Sequence, residues 1–459
     1  MSSTRRRGPD RPRTLHLAAH FPGVNNTTVW APAPPGQRAC GGPAGARRPP
    51  FDSQIAFASF AHLARTAERG LFDFFFLAEG LRLREHKGRI HDLDVAGRPE
   101  AITVLSALAA VTDRLGLAAT MSTTFNEPYE LARRLATLDH LSAGRAAWNV
   151  VTTSDAFTGE NFRRGGFLPY AERYTRAAEF VAVARALWDS WPGRGGPQPV
   201  SHDGPHFSVE GYFTLPRSPQ GHPVVIQAGE SAEGRDFAAA TADVIFSRYH
   251  GLEAGRAFSS DVKGRLAAHG RDRDSLKIMP GVSFVLGDTA AEAREKAAEI
   301  RRQQVSPQTA LLTLEQVWGL DLSGYDPDGP LPDLDPDPDG ELAQGRVRIT
   351  DRKTIADRWR ELSRAKGLSI RETVIETTGR QTFVGTPQTV AEEMATHFRA
   401  GAADGFILIP HLTPEGLDDF VDQVVPLLQE RGVFRTEYEG TTLRSHLRLP
   451  DPARPLWEN

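Results

Sequence analysis

A single cysteine, Cys40, stands among 459 residues. One thiol can neither close an intrachain disulfide nor build a thiolate zinc cluster, which excludes a disulfide scaffold and suits a reducing cytosol. No stretch of about 18 uncharged apolar residues occurs, as a membrane-spanning helix would need, and the basic start MSSTRRRGPDRPR is followed by no apolar signal core. Residues 1–14 therefore read as a disordered basic tail. Positive charge is not in surplus: 54 Lys and Arg against 58 Asp and Glu leave a net charge of −4, so nothing invites nucleic acid. The phosphate fingerprint GxGxxG never follows the first apolar run, which argues against a doubly wound dinucleotide-binding sheet.

What is present is an ordinary globular composition, 40% hydrophobic and 24% charged, long enough for one to three domains. Short apolar runs alternate with amphipathic segments from Leu15 almost to the end, the pattern of parallel strands joined by crossover helices. Eight candidates stand out: LHLAA from Leu15, FDFFFLAE from Phe72, LGLAAT from Leu115, AAWNVVT from Ala146, PVVIQAG from Pro223, DVIFSR from Asp243, IMPGVSFVLG from Ile278 and GFILIP from Gly405. Eight is the number that closes a barrel, and burial on both faces explains why FDFFFLA does not alternate. Helical patterns between them run up to Gly70, Gly116 and Gly401, each glycine suited to a left-handed C-cap. We read 15–449 as one (β/α)8 barrel domain with insertions at the C-terminal ends of its strands, and 450–459 as a tail. The main insertion spans about 305–380 and contains the Asp/Pro/Gly-rich Asp321 to Gly345, a solvated linker or a lid over the pocket.

In such a barrel the chemistry sits just after each strand. The residues there are Glu79, Thr120, Asn149, Thr152, Gly229 and Ser231, and few of them titrate near neutrality. A hydrolase would need paired carboxylates, a nucleophile with its base, or a metal cluster. Glu79 and Glu127 are strand-end carboxylates that nothing ties into a pair. His16 and His20 could share one strand face, and His86, His91, Asp92 and Asp94 share one loop, but no HxH closes the first strand. A metal-dependent barrel hydrolase is thus a rival from another class. The stretch QAGESAEGRDFAA ends a strand at Gly229 and opens a helix after Ser231, so free backbone N–H groups face outward there. That is either a phosphate cradle or a plain βα turn with a serine N-cap. NVVTTSDAFTGENFRRGGFLPYAERY, Asn149 to Tyr174, begins as a strand, breaks into a polar loop and ends with Tyr170 and Tyr174 one helical turn apart. Two phenols so placed are a core edge or a cover for a planar ring.

Several strings carry more than their physics: FDFFFLAEGLRLREH, LGLAATMSTTFNEPYELARRLATLDHLSAGRAAWNVVT, ENFRRGG with ERYTRAAEF, PVVIQAGESAEGRDFAA, FVGTPQTVAEEM and DGFILIPHLTPEGLDDFVDQVVPLLQERGVFRTEYEGTTLRSHL. In this order they resemble the bacterial-luciferase-like flavin monooxygenases. The match is to the branch that includes nitrilotriacetate monooxygenase component A, dibenzothiophene sulfone monooxygenase and pristinamycin IIA synthase. The resemblance implies a cytoplasmic two-component system. A separate NAD(P)H-dependent flavin reductase supplies diffusible reduced FMN, oxygen forms a flavin hydroperoxide in the barrel, and one oxygen atom enters a small organic substrate. It also implies FMN contacts at Glu79, Thr120, Asn149, Thr152, Tyr170, Tyr174, Gly229 and Ser231, catalytic roles for Tyr170 and Asn149, no metal, and a homodimer or homotetramer.

The chain departs from the family's pattern in places. Tyr170 stands where the family has a histidine, Ala171 replaces its acidic neighbour, and Glu230 puts a negative charge into a turn expected to meet a phosphate. A phenol hydrogen-bonds but is no base near neutral pH. These departures keep two further readings open, a barrel that binds flavin without turnover and a deazaflavin-dependent oxidoreductase of the same superfamily. Arg82, Arg84, Arg163 and Arg164 offer cations for an anionic substrate.

Overall fold

The computed structural model describes residues 13–21, 29–30, 55–81, 99–153, 162, 172–191, 196–249, 251–340, 351–378 and 381–452. Its centre is a closed barrel of eight parallel strands: β1 His16–His20, β2 Phe74–Leu77, β3 Gly116–Ser122, β4 Ala146–Val151, β5 Val224–Gln227, β6 Val244–Ser247, β7 Lys277–Val282 and β8 Gly405–Leu408. Each pairs with its neighbours in sequence, and β8 returns to β1 in the register His16 to Gly405. All eight apolar runs read from the sequence are these strands. The registers explain the lack of alternation in FFFL: Phe75 and Leu77 pack outward against the helices, while Phe74 and Phe76 fill the barrel.

Inside, Ala18, Phe74, Ala118, Ala147, Val224, Val244, Met279 and Ile407 make a dry core. The C-terminal segment closes the N-terminal end of the barrel with Leu443, Leu447 and Leu449. A Cβ on Gly116 would lie 2.6 Å from the Leu443 side chain, so that glycine begins a strand and makes room for the plug. Beside it, buried Asp73 accepts from the Leu17 N–H (3.0 Å), meets His16 (3.2 Å) and pairs with Arg435. Burial alone would raise the Asp73 carboxyl, but Arg435 and His16 overcome it and hold it at about 2.

The helix stops differ from the expected pattern. Gly401 takes a left-handed φ of 70°, but Gly70 sits at −78° and its neighbour Leu71 takes the positive φ of 58° instead. The reason is local. A Cβ at Gly70 would come within 2.6 Å of Val421 and 3.0 Å of the Phe72 ring, so the glycine serves a close approach rather than a turn.

Strands Phe284–Leu286 and Phe383–Gly385 pair beyond the C-terminal end of β7 and carry the main insertion. Its helices Pro307–Trp318, Arg352–Lys366 and Ile370–Thr377 pack around Trp318 and Trp359. The Asp/Pro-rich segment lies on this cluster as far as residue 340, with the Trp318 indole donating to the Leu334 carbonyl at 2.9 Å. Asp321, Asp326 and Asp337 each accept from the backbone N–H two residues on, so the repeated aspartates make a series of Asx turns. Residues 341–345 of the expected lid lie outside the described residues. Among those residues no helix is long and apolar enough to cross a membrane.

Candidate active site

The C-terminal ends of the strands meet above a floor of two parallel rings. Phe76 of β2 and Phe246 of β6, on opposite sides of the barrel, stack with centroids 6.2 Å apart and planes 8° from parallel. Phe246 can lie there because β7 has Gly281, where a Cβ would be 2.6 Å from the ring. His20, the last residue of β1, packs on Phe76 at 5.2 Å.

Polar groups ring this floor. Thr120 and Asn149 are partners in the β3–β4 register, both buried, and the Asn149 amide donates to the Thr120 hydroxyl at 3.0 Å. Among the described residues the Asn149 Oδ1 is left buried without a partner, as is the Oε1 of Gln227 at the end of β5, whose side chain faces outward with Val150 and Ile245 rather than over the floor. Buried acceptors without donors are uncommon because each costs on the order of 1–3 kcal/mol. Among the described residues the Nδ1 atoms of His20 and His411 also have no partner. Burial lowers both imidazoles to about 4, so they are neutral at physiological pH.

Glu79, just beyond β2, is half-buried. Burial first, and then the charge of Glu100, raise its carboxyl to about 7, with Arg134 offsetting part of the rise. At neutral pH it is therefore acid and carboxylate in comparable amounts, able to donate as well as accept. The acid that perturbs it is Glu100, an N-cap that accepts from the Ile102 and Thr103 N–H groups, and Glu127 has no such role.

Thr152 follows β4 directly and is half-buried; the next residue, Thr153, ties that strand end to β3 through the Ser122 hydroxyl at 3.1 Å. The helix bearing Tyr174 begins at Arg173 and is held to β3 by Arg176, which donates to the Thr123 carbonyl at 3.2 Å. The Tyr174 ring packs on Phe237 at 5.6 Å, and its hydroxyl points to the βα turn, 2.7 Å from where a Cβ of Gly234 would stand. In that turn Ser231 caps the helix Ala232–Thr241 by accepting from the Gly234 N–H at 3.1 Å. Gly229 and Gly234 approach so closely that a Cβ on the first would be 2.9 Å from the Cα of the second and 2.4 Å from the Gln227 amide. Only glycine permits this approach, and it opens the backbone to a ligand as well.

Tyr170, the loop from Ser154 to Phe167 apart from Phe162, the arginines Arg82, Arg84, Arg163 and Arg164, and the loop from His86 to Asp94 lie outside the described residues. His16 faces away from the mouth, into the Asp73 and Arg435 network. Among the described residues no group of three or more His, Cys, Asp or Glu side chains is placed to hold a metal ion. Sequence reasoning missed Gln227 and His411, although each is a polar residue at the close of an apolar run, the one signal they carry.

A description of the luciferase-like monooxygenases matches residues 35–404. The N-acetyl-S-(2-succino)cysteine monooxygenase of Bacillus subtilis is 42% identical over 421 residues, covering 88% of this chain and 92% of its own. Nitrilotriacetate monooxygenase component A of Aminobacter aminovorans is 41% identical over 419 residues, covering 86% and 90%. The solved structure of EDTA monooxygenase from Chelativorans sp. BNC1 superposes with a TM-score of 0.70 at 28% identity, over 96% of this chain and 99% of that one. With its closed parallel barrel and these similarities along most of its length, the chain belongs to the luciferase-like monooxygenases.

Proposed function

We propose that this monooxygenase is the oxygenase component of a two-component system, taking reduced FMN from a separate NAD(P)H-dependent reductase and placing one atom of O2 on a small organic substrate. Its cofactor is FMN in the reduced form. The observation that carries the reading is the buried amide oxygen of Asn149, Oδ1, which sits beside Thr120 on the inner side of a luciferase-like barrel with no partner among the described residues. A flavin fits such a site, since its ring N–H and ribityl hydroxyls are the donors that buried acceptors need. In this reading Thr120 and Asn149 hold the ring edge, Thr152 and Glu79 line its surroundings, and Tyr174 covers the tail. Gly229 and Ser231, at the N-terminus of Ala232–Thr241, receive the phosphate.

Bound reduced flavin supplies the activation of oxygen and the transfer of one of its atoms. The chain's own share is to orient the ring, exclude water and seat the substrate. The Phe76 and Phe246 floor keeps the lower side dry, and the neutral His20 and His411 give hydrogen-bonding positions that do not change charge between about pH 6 and pH 8. Tyr170 takes the place of the family histidine beside the ring. The described part of the Asp/Pro-rich segment, Asp321 to Gly340, carried on the helical cluster past β7, covers the substrate side. We place the protein in the cytoplasm as a homodimer or homotetramer.

The test is a substrate panel of thioethers, sulfones and polycarboxylated amines, incubated with the purified chain, a flavin reductase, NADH and FMN. Mass spectrometry should find a gain of one oxygen atom in one class, with matching oxygen uptake. A chain that neither binds reduced FMN nor consumes oxygen with added reductase would overturn the reading.

A further inference from the structure

Glu230 is the residue that looks wrong for an anion site. It sits between Gly229 and Ser231, inside the turn read above as the phosphate cradle, and a bare carboxylate there would repel a phosphate dianion. The structure does not leave it bare. Its Oε1 accepts from the backbone N–H of Arg248 at 2.7 Å, and its Oε2 accepts from the Arg248 Nε and Nη2 at 3.1 and 2.8 Å. The carboxylate is itself mostly buried, at 21% exposure, whereas the Arg248 side chain is 84% exposed. The guanidinium is thus pinned by one edge at the turn while the rest of it faces solvent.

A second arginine at the turn is committed elsewhere. Arg235 is used up in place, donating to the Glu230 carbonyl, to Asp261 and to the Tyr249 hydroxyl. Beneath the turn lies Gln227, its amide against Gly229 and its buried Oε1 without a partner among the described residues. Arg248 follows β6 directly, so the pair also ties the end of β6 to the turn after β5.

We propose that Glu230 and Arg248 act as one unit that binds the cofactor phosphate: Glu230 delivers Arg248 to the turn, and Arg248 both cancels the carboxylate and supplies the exposed cation that meets the phosphate. The proposal rests on the assignment of FMN to this barrel. It explains how a carboxylate is tolerated in the turn. Arg248 is a binding residue in this scheme and Glu230 a positioning residue acting through it. Because the pair lies at the surface, its effect is screened by salt within a Debye length of about 8 Å at physiological ionic strength.

The experiment is an anaerobic titration of the purified full chain with reduced FMN and with reduced riboflavin, which lacks the phosphate, followed by quenching of tryptophan fluorescence. The proteins are the wild type, R248A, E230Q and the double variant. Losing one charge-assisted contact to phosphate while uncovering Glu230 should weaken FMN binding about tenfold in R248A, with riboflavin binding changed by less than about twofold. The double variant should regain the part of the loss that comes from the uncovered carboxylate and bind FMN between R248A and wild type, and added salt should shrink the difference between R248A and wild type. If FMN and riboflavin weaken alike in R248A, or the double variant binds FMN no better than R248A, the pair only braces the turn and the proposal fails. Wild-type protein that binds no FMN at all overturns instead the flavin assignment beneath it.

Discussion

Replacing Glu79 by glutamine tests the electrostatics of the barrel mouth with no ligand involved. Burial, reinforced by Glu100, raises the carboxyl from 4.5 to about 7. A group whose folded pKa exceeds its unfolded one favours the fold below the unfolded value and loses that advantage as pH rises through the folded one. For Glu79 the loss starts near 4.5 and is complete above about 7. The difference, 7 − 4.5 = 2.5, at about 1.36 kcal/mol per pH unit, makes the charged side chain cost about 3 kcal/mol at alkaline pH. At about pH 5 the same linkage leaves about 1 kcal/mol. Glutamine has the shape of the protonated acid and no titration. Urea unfolding of wild type and E79Q at about pH 5 and about pH 9 should therefore show the variant gaining about 2 kcal/mol on the wild type between the two. The subtraction cancels every other titrating group that the two proteins share. A stability difference that is the same at both pH values would mean an ordinary solvated carboxyl and refute the reasoning.

Two further outcomes are expected. Arg435→Met strands the Asp73 carboxylate in the closed end of the barrel and should cost about 3–5 kcal/mol in urea unfolding near neutrality. The Asp73 carboxyl is held below its ordinary 3.8, at about 2, so the stability it contributes is present above 3.8 and fades as pH falls toward 2. The gap between the two proteins should narrow over that window, and a gap independent of pH would show that the ion pair is not its origin. Gly229→Ala puts a methyl 2.4 Å from a side-chain amide that can yield and 2.9 Å from the Gly234 backbone, which cannot without opening the turn. Affinity for reduced FMN should fall about tenfold or more with the fold intact by circular dichroism, since a displaced backbone loses aligned N–H contacts; undiminished affinity would place the phosphate elsewhere.

The eight strands were legible because each is buried on both faces and so leaves an unbroken apolar run. The helix ends were less so. Gly70 and Gly116 stand where glycine stops a helix, yet tertiary neighbours, Val421 and Leu443, are what require them. Of the residues expected at the mouth, Thr120 and Asn149 are joined by a hydrogen bond that strand register creates across 29 positions. Tyr174 reaches the turn at Gly234, while Tyr170 lies outside the described residues. Nothing in the sequence ties Glu79 to another acid, and the one that raises its carboxyl is Glu100, across a long loop. Glu230 reads as a flaw in the linear chain, and only the packing of β6 beside β5 brings Arg248 to it.

The sequence by itself determined the architecture and the family. Both rest on runs and strings of adjacent residues, whose burial pattern and local turn chemistry are written in order along the chain. The tertiary structure decided which polar groups are satisfied and which are left open, how far the buried His20 and His411 and the half-buried Glu79 are moved from their ordinary protonation, and which cation answers Glu230. Those properties depend on distances and on exclusion of water, and both arise only when strands far apart in sequence close into one barrel.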